Sequence, residues 1–160
     1  MRRDLIALPD DSKVWIYQAN HKIDETVASE IKSHLYDFSM KWDSHGRPLD
    51  CYGHLFHSRF LALVTDESNH PSGCSIDSSV RFVKALGEKY NIDFFDRLQI
   101  AYLLNDEVHV IHKNDFQDAL DKGIIGHDTL MFNNLVKTKK EFLTDWIIPL
   151  SESWYMKWLS

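Results

Sequence analysis

DCYGHLFHSRFLALVTDE, residues 50–67, carries the most informative pattern in this sequence. Every residue from Phe60 to Val64 is apolar, so an extended backbone presents hydrophobic side chains to both faces here. Such a strand belongs in the middle of a sheet that is covered on two sides. We therefore expect residues 60–64 to form a central strand. The whole stretch is either one long bent strand or a hairpin that turns near His57 and Ser58.

Helical and extended patterns flank this central strand. Residues 14–18, VWIYQ, are β-branched or aromatic in the main and predict a first strand. Apolar residues at helical spacing predict one helix over about 24–42 and a second over about 76–90. RLQIAYLL and VHVIH, residues 97–104 and 108–112, predict a hairpin, because three turn-forming residues separate them.

The order of these elements predicts an α+β fold with a ferredoxin-like βαββαβ core if residues 50–67 form a hairpin. If they form one strand, the alternative is a three-layer α/β sheet. The pattern of residues 113–160 predicts a C-terminal β-α extension, which contains a short helix, a strand at 129–135 and a last helix after Thr138. An open two-layer sandwich would leave one face wet, so the ferredoxin-like core requires this extension to cover the far face. We expect residues 1–160 to form a single domain.

Composition restricts the classes of protein to which the chain can belong. With 44% hydrophobic residues and 160 residues in all, it can bury an ordinary core. The net charge is −6 and the 18 Lys and Arg residues are scattered, which argues against nucleic-acid binding. No apolar run approaches the length of a membrane helix. Two cysteines and the opening MRRDLIALPDD, without a signal-peptide pattern, predict a cytoplasmic protein.

A turn of small residues, Ser72-Gly73-Cys74-Ser75, precedes the second predicted helix. Ser75 is the predicted N-cap, and Asp77 lies in the first turn, where the helix dipole favours a carboxylate. Free backbone N–H groups gather at a helix start, which suits an anion and lowers the pKa of a neighbouring thiol. Cys74 is therefore either a thiolate nucleophile or redox sensor, or a small buried hydrophobic residue.

Two more charged or titratable side chains, His57 and Arg59, lie where the central strand begins. They could bind an anion or transfer a proton, or they could be rim charges at the end of a buried strand. The predicted ligand-binding residues are Arg59, Gly73, Cys74 and Ser75. The candidate catalytic residues are Cys74, His57 and Asp77.

Metal and nucleotide sites are not predicted. Cys51, His54 and His57 have the side chains of metal ligands, but positions three apart on a strand point to opposite faces. None of the six glycines begins a Walker A loop or a G-x-G-x-x-G turn, and G-x-S-x-G is also missing. We therefore expect no cofactor.

Six segments of the sequence carry a family resemblance. They are WIYQANHKIDETVASEI (15–31), KWDSHGRPL (41–49), FHSRFLALVTDES (56–68), SGCSIDSSVRFV (72–83), FFDRLQIAYL (94–103) and DTLMFNNLVKTKKEF (128–142). Together they resemble an uncharacterised bacterial family whose members are often labelled ABC transporter ATPase. The label implies ATP hydrolysis, which requires Walker A, Walker B and signature motifs that this sequence does not contain. The resemblance therefore transfers no ATP-site residue, and the chain is not predicted to be an ATPase.

The sequence leaves three hypotheses for function. The leading one is a non-enzymatic binding or interaction domain, with an anionic small-molecule or peptide site at the start of the second helix. The second is a thiol-dependent enzyme or redox sensor that uses Cys74. The third is an oligomeric scaffold or protein-binding subunit that uses the C-terminal tryptophans Trp154 and Trp158, because Trp concentrates at interface hot spots. These tryptophans could equally belong to a tail that packs on the body.

Overall fold

The computed structural model describes residues 1–67 and 74–160, with every side chain in these ranges except those of residues 74 and 75. The described chain folds into nine strands and four α-helices. The strands are β1 (Lys13–Gln18), β2 (Asp43–Ser44), β3 (Arg47–Pro48), β4 (Asp50–Phe56), β5 (Phe60–Asp66), β6 (Gln99–Leu104), β7 (Glu107–His112), β8 (Leu130–Phe132) and β9 (Ile147–Pro149). The helices are α1 (Glu25–Lys41), α2 (Cys74–Tyr90), α3 (Phe116–Asp121) and α4 (Lys139–Asp145).

The larger strands form two antiparallel sheets. Sheet 1 has the order β1-β5-β4, and sheet 2 has the order β7-β6-β8-β9, while β2 and β3 pair only with each other. Residues 50–67 form a hairpin rather than one strand, because His57 and Ser58 take positive φ values of 54° and 53° and reverse the chain. The predicted central position of residues 60–64 is confirmed, since β5 lies between β1 and β4.

Strand β5 explains how the layers are stacked. Its five apolar residues, 60–64, are all fully buried. Leu61 and Leu63 belong to the core under the helices, whereas Phe60 and its even-numbered neighbours belong to the core between the two sheets. Each buried side chain of this kind stabilises the fold by about 1.5–3 kcal/mol relative to an exposed one. Because successive side chains of a strand point to opposite faces of the sheet, β5 contributes to both cores.

The helices cover the other face of sheet 1. Helix α1 begins where predicted, because the Asp24 carboxylate accepts a hydrogen bond of 2.9 Å from the Val27 N–H. Helix α2 begins at Cys74 rather than at residue 76, so Ser75 lies inside the first turn and the predicted N-cap is wrong. Apolar spacing places this start too late because the first turn of a helix can form without apolar side chains.

The ferredoxin-like prediction is met only up to α2. Strands β1, β4 and β5 with α1 have the expected order and directions, but the next strand, β6, joins sheet 2 instead of pairing with β1. The free edge of β1 is already occupied, because Val14 N donates to Lys137 O at 3.0 Å and Lys139 N donates to Ser12 O at 2.8 Å. The result is a mixed helix and strand fold with antiparallel sheets. The three-layer α/β alternative required residues 50–67 to form one strand, and the hairpin shows that they do not.

Residues 113–160 contribute strands as well as a cover. They supply β8 and β9 to sheet 2, and β8 is shorter than the predicted strand at 129–135. The outer face of sheet 2 is covered by α3 and by the C-terminal 3-10 turns, which bury Phe116, Leu150 and Tyr155. The Tyr155 hydroxyl donates to Phe132 O at 3.0 Å. Within residues 1–67 and 74–160, no helix is both long enough and apolar enough to span a membrane.

Candidate functional site

The site predicted at the start of α2 falls on a part of the chain that the structure does not describe. Gly73 lies outside the described residues, as do the side chains of Cys74 and Ser75. Asp77 lies in the first turn of α2, as expected, and is exposed. The anion site and the thiol chemistry predicted here therefore stay predictions.

His57 and Arg59 both lie in the turn between β4 and β5. The His57 ring packs edge-on against Phe132 at a centroid distance of 5.5 Å, and it also contacts Phe60 and Trp146. Partial burial lowers the pKa of His57 and of Arg59. The backbone of Arg59 fixes the turn, because Arg59 N donates to Phe56 O at 3.0 Å. These contacts give the His57 ring a packing role at the open end of the inter-sheet core.

Cys51 is the cysteine whose side chain the structure describes, and it is inert. It is buried among apolar residues under α1, and its thiol donates to Ser39 O at 3.1 Å. Burial raises the pKa of Cys51 to about 11. Since the thiolate is the reactive form, this thiol is not a nucleophile near neutral pH. Across the described parts of the chain, no three His, Cys, Asp or Glu side chains are grouped so that they could hold a metal ion.

A chain of polar side chains joins the two sheets beside the His57 turn. Gln18 of β1 donates to Gln99 O of β6 at 3.1 Å, and Gln18 Oε1 accepts from Asn134 at 2.9 Å. Asn134 Oδ1 in turn accepts from the Trp146 indole at 2.9 Å. Each bond satisfies a polar group that would be costly to bury alone. The chain is structural, and sequence patterns did not reveal it because its members come from four separate segments.

The edges of the sheets are the most informative surface feature, because an unpaired strand edge is a template for another strand. Three of the four edge strands of sheets 1 and 2 are covered in part or blunted. The N-terminal residues pair with β4, where Cys51 N donates to Met1 O at 3.1 Å and Arg3 N donates to Cys51 O at 2.7 Å. Residues 137–139 cover β1 in the same way. Strand β9 has three residues and includes Pro149, which lacks an N–H.

Strand β7 is different, because within the described chain nothing pairs with its outer side. Its six residues pair with β6 without a bulge and include no proline or lysine. Lys113 N donates to Leu98 O at 2.7 Å, which continues the β6–β7 register by one pair. Because hydrogen-bonded positions alternate in an antiparallel pair, the odd residues of β7 bond to β6. The N–H and C=O groups of Val108 and Val110 therefore point away from the sheet, as does the N–H of His112, whose C=O is used by the 3-10 turn Lys113–Asp115.

The side chains of β7 give this edge a definite character. Val108 and Val110 pack against the core between the sheets. On the opposite face, His109 stacks on Tyr102 at a centroid distance of 5.3 Å. No residue of β7 is buried, and the strand spans about 20 Å. It is thus an accessible and regular edge, and three of its six residues are apolar.

Opposite charges flank the β7 edge. Glu107 begins the strand and Lys113 follows its last residue, and both are exposed. The Lys113 ammonium lies 4.3 Å from the centroid of the Trp158 ring, a cation-π contact. Trp158 also packs on Trp154, at a centroid distance of 4.8 Å. The two tryptophans predicted as a partner patch thus pack on the body, and Trp158 contacts Lys113 beside the edge. Their role as a partner patch stays a prediction.

Comparisons with known proteins add no relationship to this geometry. A scan of protein-family models finds no match to the chain, and searches of curated proteins and of solved structures find no significant match.

Proposed function

We propose that this chain is a non-enzymatic interaction domain that binds an extended peptide segment as a fifth strand of sheet 2, next to β7. The observation that carries the proposal is the row formed by the outward N–H and C=O groups of Val108 and Val110 and the outward N–H of His112, to which the described chain gives no backbone partner. Addition of a strand to such an edge gives affinity through backbone hydrogen bonds, and pockets for alternate side chains give specificity.

The surroundings of the edge define the class of peptide. On the inter-sheet side, Val108 and Val110 favour apolar side chains at alternate positions of the ligand. Beyond the end of the strand, the exposed Lys113 favours an acidic residue. The best ligand is therefore an extended segment of about six residues, apolar at every second position and acidic at one end. We therefore propose recognition at β7, while the anionic-ligand site predicted at the start of α2 stays a prediction.

The test is a selection of random nine-residue peptides displayed on phage against the folded protein. The enriched peptides are then synthesised, and their dissociation constants are measured by fluorescence anisotropy. Val110→Pro removes one outward N–H, so we expect binding at least about tenfold weaker. Val110→Thr keeps the N–H and the β-branched shape and should bind within about threefold of the wild type.

A second measurement does not depend on any variant. In ¹⁵N-labelled wild-type protein, a bound peptide should shift the amide resonances of residues 108, 110 and 112 more than those of residues 109 and 111. The proposal fails if no peptide is enriched at a protein concentration where the chain is monomeric, if the enriched peptides bind Val110→Pro as well as the wild type, or if the shifts map to another surface.

A further inference from the structure

We infer that the strand accepted by β7 is β7 of a second copy of this chain, so that two copies join their four-stranded sheets into one continuous sheet about a two-fold axis. The inference rests on the proposed function, since it uses the same edge and adds the identity of the partner. A two-fold interface requires a surface that is complementary to itself. The described residues of β7 meet this requirement in one register.

The alternation of hydrogen bonds selects that register. Outward groups belong to Val108, Val110 and His112, so an antiparallel partner must place even-numbered residues opposite even-numbered residues. With the axis at Val110, this residue opposes itself and Val108 opposes His112 of the second copy. In this register the N–H and C=O of Val110 and the N–H of His112 in each copy find backbone partners, while the His112 C=O already accepts from its own 3-10 turn. A shift of the axis by one or more residues leaves at least one of the three outward residues opposite a residue outside β7.

Charge complementarity supports the same register. With the axis at Val110, Glu107 of each copy lies opposite Lys113 of the other, so the pair occurs twice. These are positions where the backbone bonds to β6, which makes them non-hydrogen-bonded pairs across the new interface. Side chains approach most closely at such pairs. The cation-π contact with Trp158 already holds Lys113 beside this edge.

Apolar matching completes the argument. Val110 meets Val110 at the axis, on the face that continues the core between the sheets. On the other face, His109 opposes Ile111 of the second copy, and Ile111 already packs with the outer core. No like charges face each other in this register. The edge is therefore complementary to itself in backbone groups, charge and shape.

The experiment measures molar mass by sedimentation equilibrium between 1 and 300 μM protein, in low salt. We expect the wild type to approach twice the chain mass of 18.8 kDa. Val110→Pro should be a monomer, and Val110→Thr should dimerise like the wild type. Glu107→Lys should weaken the dimer by about tenfold or more, because two attractive pairs become repulsive. Adding Lys113→Glu to Glu107→Lys should restore most of the affinity.

The outcomes separate this inference from the proposed function. A wild type that stays monomeric while selected peptides bind at β7 overturns the second copy and leaves the interaction domain standing. A monomer that binds no peptide overturns both. A dimer that survives Val110→Pro, or one that Trp158→Ala abolishes while the charge reversals leave it unchanged, places the contact elsewhere and overturns the inference. If Val110→Pro does not fold, the dimer affinities of Glu107→Lys and of the double variant Glu107→Lys with Lys113→Glu decide the question.

Discussion

The edge strands β4 and β7 have similar lengths, seven and six residues, but the chain treats their outward backbone groups differently. The outward backbone groups of Cys51 in β4 are paired with Met1 and Arg3, and Arg2 adds a hydrogen bond of 3.1 Å to Gly53 O. Within the described chain, the outward groups of Val108 and Val110 in β7 have no such cover. An unpaired and regular strand edge is a template for a further strand. This difference between β4 and β7 is the reason for proposing that β7 accepts a partner strand.

The largest expected effect comes from proline substitutions in β7, at one residue whose N–H bonds to β6 and at one whose N–H points outward. Ile111→Pro removes an N–H that bonds to β6, so we expect the free energy of unfolding to fall by about 3 kcal/mol. Val110→Pro removes an N–H that points outward, so we expect a loss of about 1 kcal/mol or less. Urea denaturation, at a concentration where the protein is monomeric, measures both. Equal losses would show that the assignment of inward and outward groups on β7 is wrong.

A smaller effect is expected from opening the closed edge. A chain that begins at Asp4, released from a cleavable tag, loses the two backbone hydrogen bonds to Cys51 and the bond from Arg2. We expect the free energy of unfolding to fall by about 2 kcal/mol. The Cys51 thiol should also react faster with a disulfide reagent. Arg3→Ala is the control, because it removes only the half-exposed ion pair with Asp50 and should cost under about 1 kcal/mol. An unchanged stability and thiol reactivity would refute a covering role for residues 1–3.

The smallest effect concerns pH and the histidine on the closed edge strand. Burial lowers the pKa of His54, and the positive charges of Lys32 and Arg2 lower the pKa further. Burial also lowers the pKa of His57. The unfolded chain then binds protons that the folded chain does not, so stability is fully present above about pH 6.5 and is lost as the pH falls below it.

The corresponding measurement is the urea midpoint at pH 7.5 and pH 5.5. We expect a lower midpoint at pH 5.5 for the wild type, and a smaller difference between the two pH values for His54→Gln and His57→Gln. Arg2→Gln should reduce the difference less than His54→Gln, because burial is the main cause of the His54 shift. A midpoint that rises on acidification would show that these histidines are protonated more readily in the folded state.

The parts of the fold that the sequence predicts are those decided by local pattern. The central strand, the first helix with its Asp24 cap and the 97–112 hairpin all depend on residues close together in the chain. Asn105 and Asp106 take positive φ values, as residues of their type do in tight turns. The sequence could not predict that β6 joins sheet 2 instead of pairing with β1. That outcome depends on residues 137–139, which are distant in sequence and occupy the outer edge of β1.

The candidate site was harder to predict for the same reason. The Gly73-Cys74-Ser75 segment is a motif that the sequence alone reveals. The structure describes no side chain of these three residues, so the site predicted there stays a prediction. The sequence VHVIH already lacks the lysines and prolines that usually protect an edge. It could not be recognised as an open edge, because openness depends on which distant segments cover the other strands. Sequence patterns describe a strand, whereas exposure of its edge is a property of the whole sheet.

The amide chain from Gln99 through Gln18 and Asn134 to Trp146 has a mechanical consequence. Apolar layers resist separation but tolerate small lateral displacement, whereas hydrogen bonds demand both distance and direction. One of the three bonds, from Gln18 to Gln99 O, joins sheet 1 directly to sheet 2, and the other two continue through Asn134 to Trp146, next to β9. On the proposed function, this connection limits the movement of sheet 2 and so lowers the conformational entropy that a strand docking at β7 would remove.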